Sequence, residues 1–193
     1  MTKRRPIAGA ILPRSFYQRD AVTVARDLLG KVLVHGDTAG IIIETEAYPG
    51  GDDLASHSAA GITNRTKVIF GPPGHAYVYL SYGIHACMNI VADAEGSAGC
   101  VLIRALEPVS GVETMRGRRQ AARHDGDLAS GPGKLTQALG ITLGHYGADL
   151  TQGEFVVREP AEAKRFHIDV TPRIGITKCA DRPLRFVIRP ERS

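Results

Sequence analysis

The sequence predicts a single α+β domain: a curved, open barrel-like antiparallel sheet with packed helices and a protruding β-hairpin. Three observations predict this fold class. The 193 residues suit one domain, 22 glycines and 11 prolines divide the chain into short elements, and several consecutive strands are joined by tight turns. Strands joined by hairpins pair antiparallel, and helices packed beside such a sheet give an α+β domain.

Capping residues define the helices. Asp20 is a suitable N-cap for the first helix, and Gly30 follows it with the backbone freedom that ends a helix. Pro132 stands in the first turn of another helix, where the missing amide hydrogen costs nothing. The predicted helices cover residues 21–29, 109–123 and 130–140.

Apolar and β-branched segments bounded by turn residues define the strands. The isoleucine run 41–43 is expected to be buried on both faces of the sheet. A tight connection at Tyr82 and Gly83 places a hairpin tip at these residues. The predicted strands cover residues 31–35, 40–47, 77–80, 84–91, 99–106, 154–158, 173–177 and 184–189.

Composition excludes several classes of protein. The net charge of +4 with a pI near 9.1 permits a polyanionic partner without requiring one. Three cysteines, Cys87, Cys100 and Cys179, are too few and too widely spaced for a disulfide framework, so we expect small buried thiols. The histidines show no metal-ligand spacing, and no apolar run is long enough to span a membrane. We expect a soluble cytoplasmic monomer whose residues 1–12 form a flexible tail.

Two carboxylates follow the isoleucine run at positions i and i+2, so Glu44 and Glu46 lie on one face of a strand. A carboxylate at the end of a buried strand is rigid and partly desolvated, and both properties suit a general base. The same pattern also suits a solvated strand end at Glu46 and an arginine partner for Glu44. This segment alone leaves catalysis and an ordinary ion pair open.

Four of the six tyrosines lie between residues 48 and 82. Tyr77 and Tyr79 share one face of a strand, whereas Tyr82 lies at a hairpin tip that offers no core for an aromatic ring. Exposed aromatic side chains near a basic surface stack on bases or wedge between them. Ordinary core packing is the alternative for each tyrosine, and it fits Tyr77 well.

With these residues in place, the chain resembles the alkyladenine (3-methyladenine) DNA glycosylases, and the resemblance extends from about residue 15 to residue 189. One short motif would be a weak signal, but many occur here in the order and spacing of that family. They are Ile43 to Tyr48, Ala55 to Ser58, Asn64-Arg65, Tyr77 to Tyr79, Tyr82-Gly83, Cys87 to Asn89, Leu102 to Pro108, Glu113 to Arg116, Gly131 to Leu135, and Pro183 to Phe186.

The resemblance implies a base-excision repair enzyme that flips a damaged purine out of double-stranded DNA and hydrolyses its N-glycosidic bond. The implied purines are 3-methyladenine, 7-methylguanine, hypoxanthine and ethenoadenine. Glu46 corresponds to the general base, Arg104 to the arginine that positions the attacking water, and Tyr82 to the side chain that fills the gap in the base stack. The implied enzyme is monofunctional, without lyase activity, cofactor or metal.

Other positions correspond to the family's base pocket. Ile174 matches a main-chain carbonyl that helps to position the water, and Asn89 matches the position that crowds the 2-amino group of normal guanine. The implied pocket residues are Tyr48, His57, Tyr77, Tyr79, Asn89 and Ile174. Basic residues near the same motifs are candidate phosphate contacts: Arg65, Lys67, Arg116, Arg118 and Lys134.

Some features leave alternatives open. His85 and Ala86 stand where relatives commonly have larger side chains, which leaves the lesion preference open. A catalytically silent damaged-DNA or RNA-binding module on the same scaffold would be favoured if Glu46 or Arg104 were missing, and both are present. A small-molecule nucleosidase would act on free nucleosides with little dependence on salt, whereas DNA binding weakens steeply with salt.

Overall fold

The computed structural model describes residues 9–162 and 164–189, and within them the chain forms four α-helices and eight β-strands. The helices are α1 (Arg14–Tyr17), α2 (Ala21–Asp27), α3 (Val112–Arg118) and α4 (Pro132–Leu139). The strands are β1 (Val32–His35), β2 (Thr38–Tyr48), β3 (Ala76–Ser81), β4 (His85–Ala92), β5 (Gly99–Ser110), β6 (Phe155–Arg158), β7 (His167–Thr171) and β8 (Arg185–Arg189).

The strands of the described chain form one antiparallel sheet that curls into a half-barrel, which confirms the predicted fold class. Along its main path the strand order is β3-β4-β5-β2-β1-β6. The long strand β2 pairs with β5 along most of its length, but its other neighbour changes from β1 at residues 38–41 to β8 at residues 44–46. The sheet therefore branches just before Glu44, and both carboxylates lie past that branch.

The main hydrophobic core packs the helices against one face of the sheet. Asp20 caps α2 as predicted, because its side chain accepts a hydrogen bond from the Thr23 amide at 2.8 Å. Leu28 after α2 and Leu135 in α4 are fully buried in this core together with Ile42 of β2. A separate, smaller cluster contains Tyr77, with Tyr48 and Tyr79 partly buried against it. The tyrosines predicted for a pocket thus lie outside the main core.

Two predicted elements are wrong in extent or position. The helix predicted over 109–123 is only α3, because β5 continues to Ser110 in its ladder with β2. The strand predicted over 173–177 does not occur in the described chain. A strand lies instead at β7, which pairs with β8, and residues 173–177 form a loop that contains Gly175 at φ +76°.

Two further expectations differ from the structure, one about the burial of the isoleucine run and one about the N-terminal tail. Ile42 is fully buried, but Ile41 and Ile43 are only half-buried, so the isoleucine run is not buried on both faces. Residues 9–12, assigned to the flexible tail, are tied to β6 by hydrogen bonds such as that from the Leu12 amide to the Val157 carbonyl. The rest of that predicted tail, residues 1–8, lies outside the described residues. Within the described ranges, no helix combines the length and hydrophobicity needed to cross a bilayer.

Candidate active site

Glu46 lies near the end of β2 with its side chain fully buried and three donors around its carboxylate. Oε1 accepts a hydrogen bond from the Ile174 amide at 2.8 Å and lies 3.3 Å from Nη1 of Arg104. Oε2 accepts a hydrogen bond from the Tyr48 hydroxyl at 2.9 Å. A carboxylate offers about four lone-pair positions, so three donors still leave one position for a water molecule.

Arg104 projects from β5 and links Glu46 to Glu44. Its Nε donates to Oε1 of Glu44 at 2.8 Å, and Nε of Arg185 on β8 donates to the same oxygen at 2.6 Å. Glu44 is therefore an arginine partner, as one of the two sequence interpretations proposed. Burial opposes the charge of Arg104, but Glu46 and Glu44 outweigh it and raise the pKa of the guanidinium above its usual value.

A cavity of about 460 Å³ opens beside this cluster, within the usual size range of small-molecule sites. Its lining includes all six predicted pocket residues, namely Tyr48, His57, Tyr77, Tyr79, Asn89 and Ile174. Arg104 and Tyr82 line it as well. Glu46 lies directly behind the wall, because Tyr48, Arg104 and Ile174 all contact its carboxylate.

Aromatic rings form one wall of the cavity. Tyr77 and Tyr79 stack with their centroids 5.3 Å apart, and His57 meets Tyr79 edge-on at 4.6 Å. Burial and the nearby Arg65 lower the pKa of His57, so its ring is neutral at pH 7. Burial raises the pKa of Tyr77 to about 12. The wall therefore offers uncharged aromatic rings for stacking.

Asn89 and two thiols also line the cavity. The Asn89 side-chain amide donates to the Tyr77 carbonyl at 3.4 Å, and Sγ of Cys100 lies 3.9 Å from its Oδ1. Cys87 and Cys100 are buried as predicted, and burial raises the pKa of both thiols, to about 12 for Cys100. Cys179 is only half-buried, so the expectation of buried cysteines is wrong there.

The hairpin between β3 and β4 exposes Tyr82 beside the cavity. Tyr82 is 90% exposed, as predicted. Tyr82 and Gly83 have φ values of +49° and +72°, and the Ile84 amide donates to the Ser81 carbonyl at 3.1 Å to close the turn. A left-handed backbone costs a residue other than glycine roughly 1–2 kcal/mol. Tyr82 is therefore an exposed aromatic residue in a backbone conformation that is unfavourable for any residue other than glycine.

Comparison with known proteins decides the family. Residues 15–192 match the sequence model of the methylpurine-DNA glycosylase family. The chain belongs to this family. Relatives named "Putative 3-methyladenine DNA glycosylase" share 54% identity in Methanoculleus marisnigri, over 94% of this chain and 96% of the relative, and 49% in Rhodopseudomonas palustris, over 97% and 89%. A Legionella pneumophila relative of the same name is 46% identical over 92% and 94%.

In this member of the methylpurine-DNA glycosylase family, the candidate phosphate contacts lie in different surroundings. Arg65 is at the cavity, with Nε 3.2 Å from the Tyr77 hydroxyl and its guanidinium carbon 4.9 Å from the centre of the Tyr79 ring. Arg116 pairs with Glu113 and Asp125, Lys134 pairs with Asp127, and Arg118 donates to the Ala138 carbonyl. Lys67 is exposed. Exposed ion pairs are weak, so these partners do not prevent exchange for a phosphate.

Sequence reasoning missed one element of the glycosylase site. Arg173 and Asp53 form an ion pair in which both side chains are completely buried, directly behind Tyr48. The two residues are 120 positions apart and belong to loops, so neither periodicity nor local spacing connects them. The hydrogen bond from the Ile174 amide to Glu46 was also not anticipated, and the role of the Ile174 carbonyl in positioning the water stays a prediction.

Proposed function

We propose that this glycosylase hydrolyses the N-glycosidic bond of a damaged purine in double-stranded DNA and leaves an abasic site. The observation that carries the proposal is a fully buried carboxylate, Glu46, that contacts three residues lining an aromatic cavity. The cavity supports binding of a flat base, and the carboxylate supports activation of water at the edge of that base. A base reaches such a cavity only if its nucleotide rotates out of the duplex.

The proposed substrates are 3-methyladenine, 7-methylguanine, hypoxanthine and ethenoadenine. Stacking on an aromatic ring of the wall stabilises a flipped base by roughly 1–3 kcal/mol, which offsets much of the cost of flipping. The neutral wall accepts both cationic alkylated purines and neutral ones. Asn89 is positioned by the Tyr77 carbonyl, and this supports its role in excluding the 2-amino group of guanine.

In the proposed reaction a water oxygen forms a bond to C1′ of the deoxyribose while the bond from C1′ to the purine nitrogen breaks. Glu46 accepts a proton from the water and stabilises the positive charge that develops on the sugar. The bonding electrons leave with the purine. A purine alkylated on a ring nitrogen is already cationic and departs as a neutral base, whereas hypoxanthine and ethenoadenine depart neutral only after a ring nitrogen has taken a proton from the solvent. Arg104, charged through its two glutamate partners, holds the Glu46 carboxylate in place for this step.

The proposed enzyme is monofunctional. A lyase step requires an amine that attacks C1′ and forms a Schiff base. Among the described residues that line the cavity, tyrosine, histidine, arginine, asparagine, serine and cysteine supply the polar groups, and no lysine contributes one. This composition supports hydrolysis by water without cleavage of the DNA strand.

The test compares Glu46→Gln with wild type on duplexes that contain hypoxanthine. We expect the single-turnover excision rate to fall by about 10²–10⁴-fold, because general-base catalysis is lost, while binding of the lesion duplex changes less than about twofold. Glu107→Gln, a change of the same chemistry at an exposed position of β5, is the control and should excise normally. Full activity of Glu46→Gln would exclude the assigned base, and a wild-type protein inactive on all four lesions would exclude the function.

A further inference from the structure

The buried pair Arg173–Asp53 contacts the same structural parts that hold Glu46. The Arg173 guanidinium donates twice to Asp53, from Nη1 at 2.6 Å and from Nη2 at 2.8 Å, and the side chains of both residues are 0% exposed. Nη1 also donates to the carbonyl of Ala47, the residue between Glu46 and Tyr48 on β2, at 3.0 Å. The guanidinium carbon lies 4.6 Å from the centre of the Tyr48 ring.

Two of the three donors on Glu46 depend on these contacts. The Tyr48 hydroxyl that reaches Oε2 belongs to the ring packed on the guanidinium. The Ile174 amide that reaches Oε1 belongs to the residue next to Arg173 in the chain. The third donor, Arg104, comes from β5 and has no such link to Arg173. One buried guanidinium thus fixes both the ring and the loop that hold the carboxylate.

The loop itself has little other support. Between Pro172 and Lys178 the described residues form no backbone–backbone hydrogen bond, Gly175 has φ +76°, and Ile174 is 49% exposed. Without secondary structure, the position of the Ile174 amide depends on the contacts of Arg173 and on the bond to Glu46. Loops of this kind move on fast timescales unless side chains anchor them.

Stability alone does not account for the pair. Burying two charges carries a desolvation cost that their attraction repays only with excellent geometry, and a buried ion pair is weak evidence for stability. In addition, Nε of Arg173 is buried and has no hydrogen-bond partner among the described residues. Retaining a charged pair with an unpaired donor is more readily explained if a fixed geometry beside Glu46 is required.

We propose that Arg173 and Asp53 are positioning residues that set the orientation of the Glu46 carboxylate through Tyr48 and the Ile174 amide. This rests on the proposed role of Glu46. Neither residue touches the base or the sugar in this assignment. Small displacements of a catalytic group cost up to about 100-fold in rate, so loss of the pair should reduce the rate of the chemical step while binding is largely unchanged.

The experiment measures single-turnover excision of hypoxanthine at saturating enzyme for Asp53→Asn and Arg173→Lys. Lysine keeps the charge but lacks the planar fork that binds Asp53 twice. We expect rates about 10- to 100-fold below wild type. The dissociation constant for a duplex with an uncleavable lesion should change less than about threefold, because His57, Tyr79 and the Tyr82 hairpin, which also line the cavity, are not among the partners of Arg173 or Asp53 in the described chain.

Asp149→Asn and Arg14→Lys are the matched controls. They alter an ion pair of the same types, with a 2.7 Å contact, whose described partners do not include Glu46, Tyr48 or Ile174. These controls should lower the melting temperature but leave the excision rate per folded molecule unchanged. If the Asp53 and Arg173 variants behave like the controls, the pair is merely structural and the proposal is wrong.

A further variant tests the proposal even if the Asp53 and Arg173 variants fold poorly. Tyr48→Phe keeps the ring over the guanidinium and removes only the hydroxyl that donates to Glu46. We expect it to slow excision by about 10-fold, and combined with Asp53→Asn to slow it by less than the product of the two effects, since coupled contacts are not additive. A wild-type rate in Tyr48→Phe would overturn the proposed route. A wild-type protein without any excision activity would instead refute the proposed function.

Discussion

The two sides of the cavity are built in opposite ways. Around Glu46, charged groups are largely shielded from water and bind one another, as the chain Arg185–Glu44–Arg104–Glu46 shows. At the hairpin, Tyr82 is 90% exposed and adopts a left-handed backbone. Burying charged groups around Glu46 costs stability but fixes their geometry. At the hairpin, the aromatic ring of Tyr82 has no partner in the free protein.

This difference indicates that the region around Glu46 must be rigid in the free protein, whereas the hairpin needs an exposed ring. The proposed reaction at one sugar carbon needs donors fixed before the substrate arrives, because reorganisation during the reaction would raise the barrier. In the proposed complex with DNA, the Tyr82 ring replaces a flipped base and finds its partners only there, so burying it in the free protein would serve no purpose. Changes in the first region should therefore alter stability and rate together, and changes in the second should alter rate alone.

Among the substitutions that test this comparison, Arg104→Gln should have the largest effect. This substitution removes the only cation within contact of both Glu44 and Glu46 among the described residues, so it should slow excision by about 10²–10³-fold and also lower the melting temperature. Single-turnover kinetics and thermal unfolding measure the two effects. Arg158→Gln, on β6, is the control and should retain the wild-type rate. A loss of less than about threefold in Arg104→Gln would mean that Glu46 is positioned without the guanidinium.

Tyr82→Gly should separate rate from stability. Glycine relieves the backbone at φ +49°, so the melting temperature should stay the same or rise. Loss of the ring should slow excision of well-paired lesions by about 10-fold, which corresponds to one lost stacking contact, and slow mispaired lesions less. Leu143→Ala, another exposed apolar position, is the comparison variant. Equal losses on well-paired and mispaired duplexes would contradict a wedge role for Tyr82.

The substitution Arg65→Gln tests the aromatic wall, which lies between the Glu46 region and the hairpin. Its guanidinium lies against Tyr79 at the cavity, so it should repel a cationic base more than a neutral one. We expect excision of 7-methylguanine to rise about threefold relative to hypoxanthine when the charge is removed. Competition between the two lesions in one reaction measures the ratio. A uniform loss on both lesions, with the salt dependence of binding reduced by about one phosphate contact, would make Arg65 a phosphate contact instead.

Prediction from sequence succeeded where local pattern and tertiary structure agree. The alternation along β2 placed Glu44 and Glu46 on one face, and both contact Arg104. The tight turn at Tyr82 and Gly83 implied an exposed ring, which the structure has. The alternation of Glu44 and Glu46 and the turn at Tyr82 and Gly83 are set by neighbours along the chain. Arg104 lies far from Glu44 and Glu46 in sequence, but its position in the family motif is recognisable.

Prediction failed where distant pairing outweighs local preference. Residues 109 and 110 extend β5 because β2 offers ladder partners, and this overrides the helical pattern that continues from Val112. The segment 173–177 has the composition of a strand, but its Ile174 amide bonds to Glu46 and not to another strand. The pairing of Arg173 with Asp53 leaves no periodic signal, since a buried salt bridge between loops is specified only by the folded structure.

The smallest effect concerns His57, which belongs to the aromatic wall between the two regions. Burial and Arg65 lower its pKa in the folded protein, whereas in the unfolded chain the pKa is about 6.5. Below pH 6.5 the unfolded chain therefore binds a proton that the folded protein rejects, and stability falls as the pH decreases. His57→Asn removes this proton uptake, so its melting temperature should fall less than that of wild type between pH 7.5 and pH 5.5.

The expected difference for His57→Asn is at most about 2 °C, because the partial exposure of the ring weakens the effect. Thermal unfolding at both pH values measures it, with the exposed His124→Asn as the control. An identical pH dependence in His57→Asn and wild type would mean that the wall accepts a proton. A protonated wall would repel cationic alkylated purines, so excision of 7-methylguanine would then fall at acidic pH faster than excision of hypoxanthine.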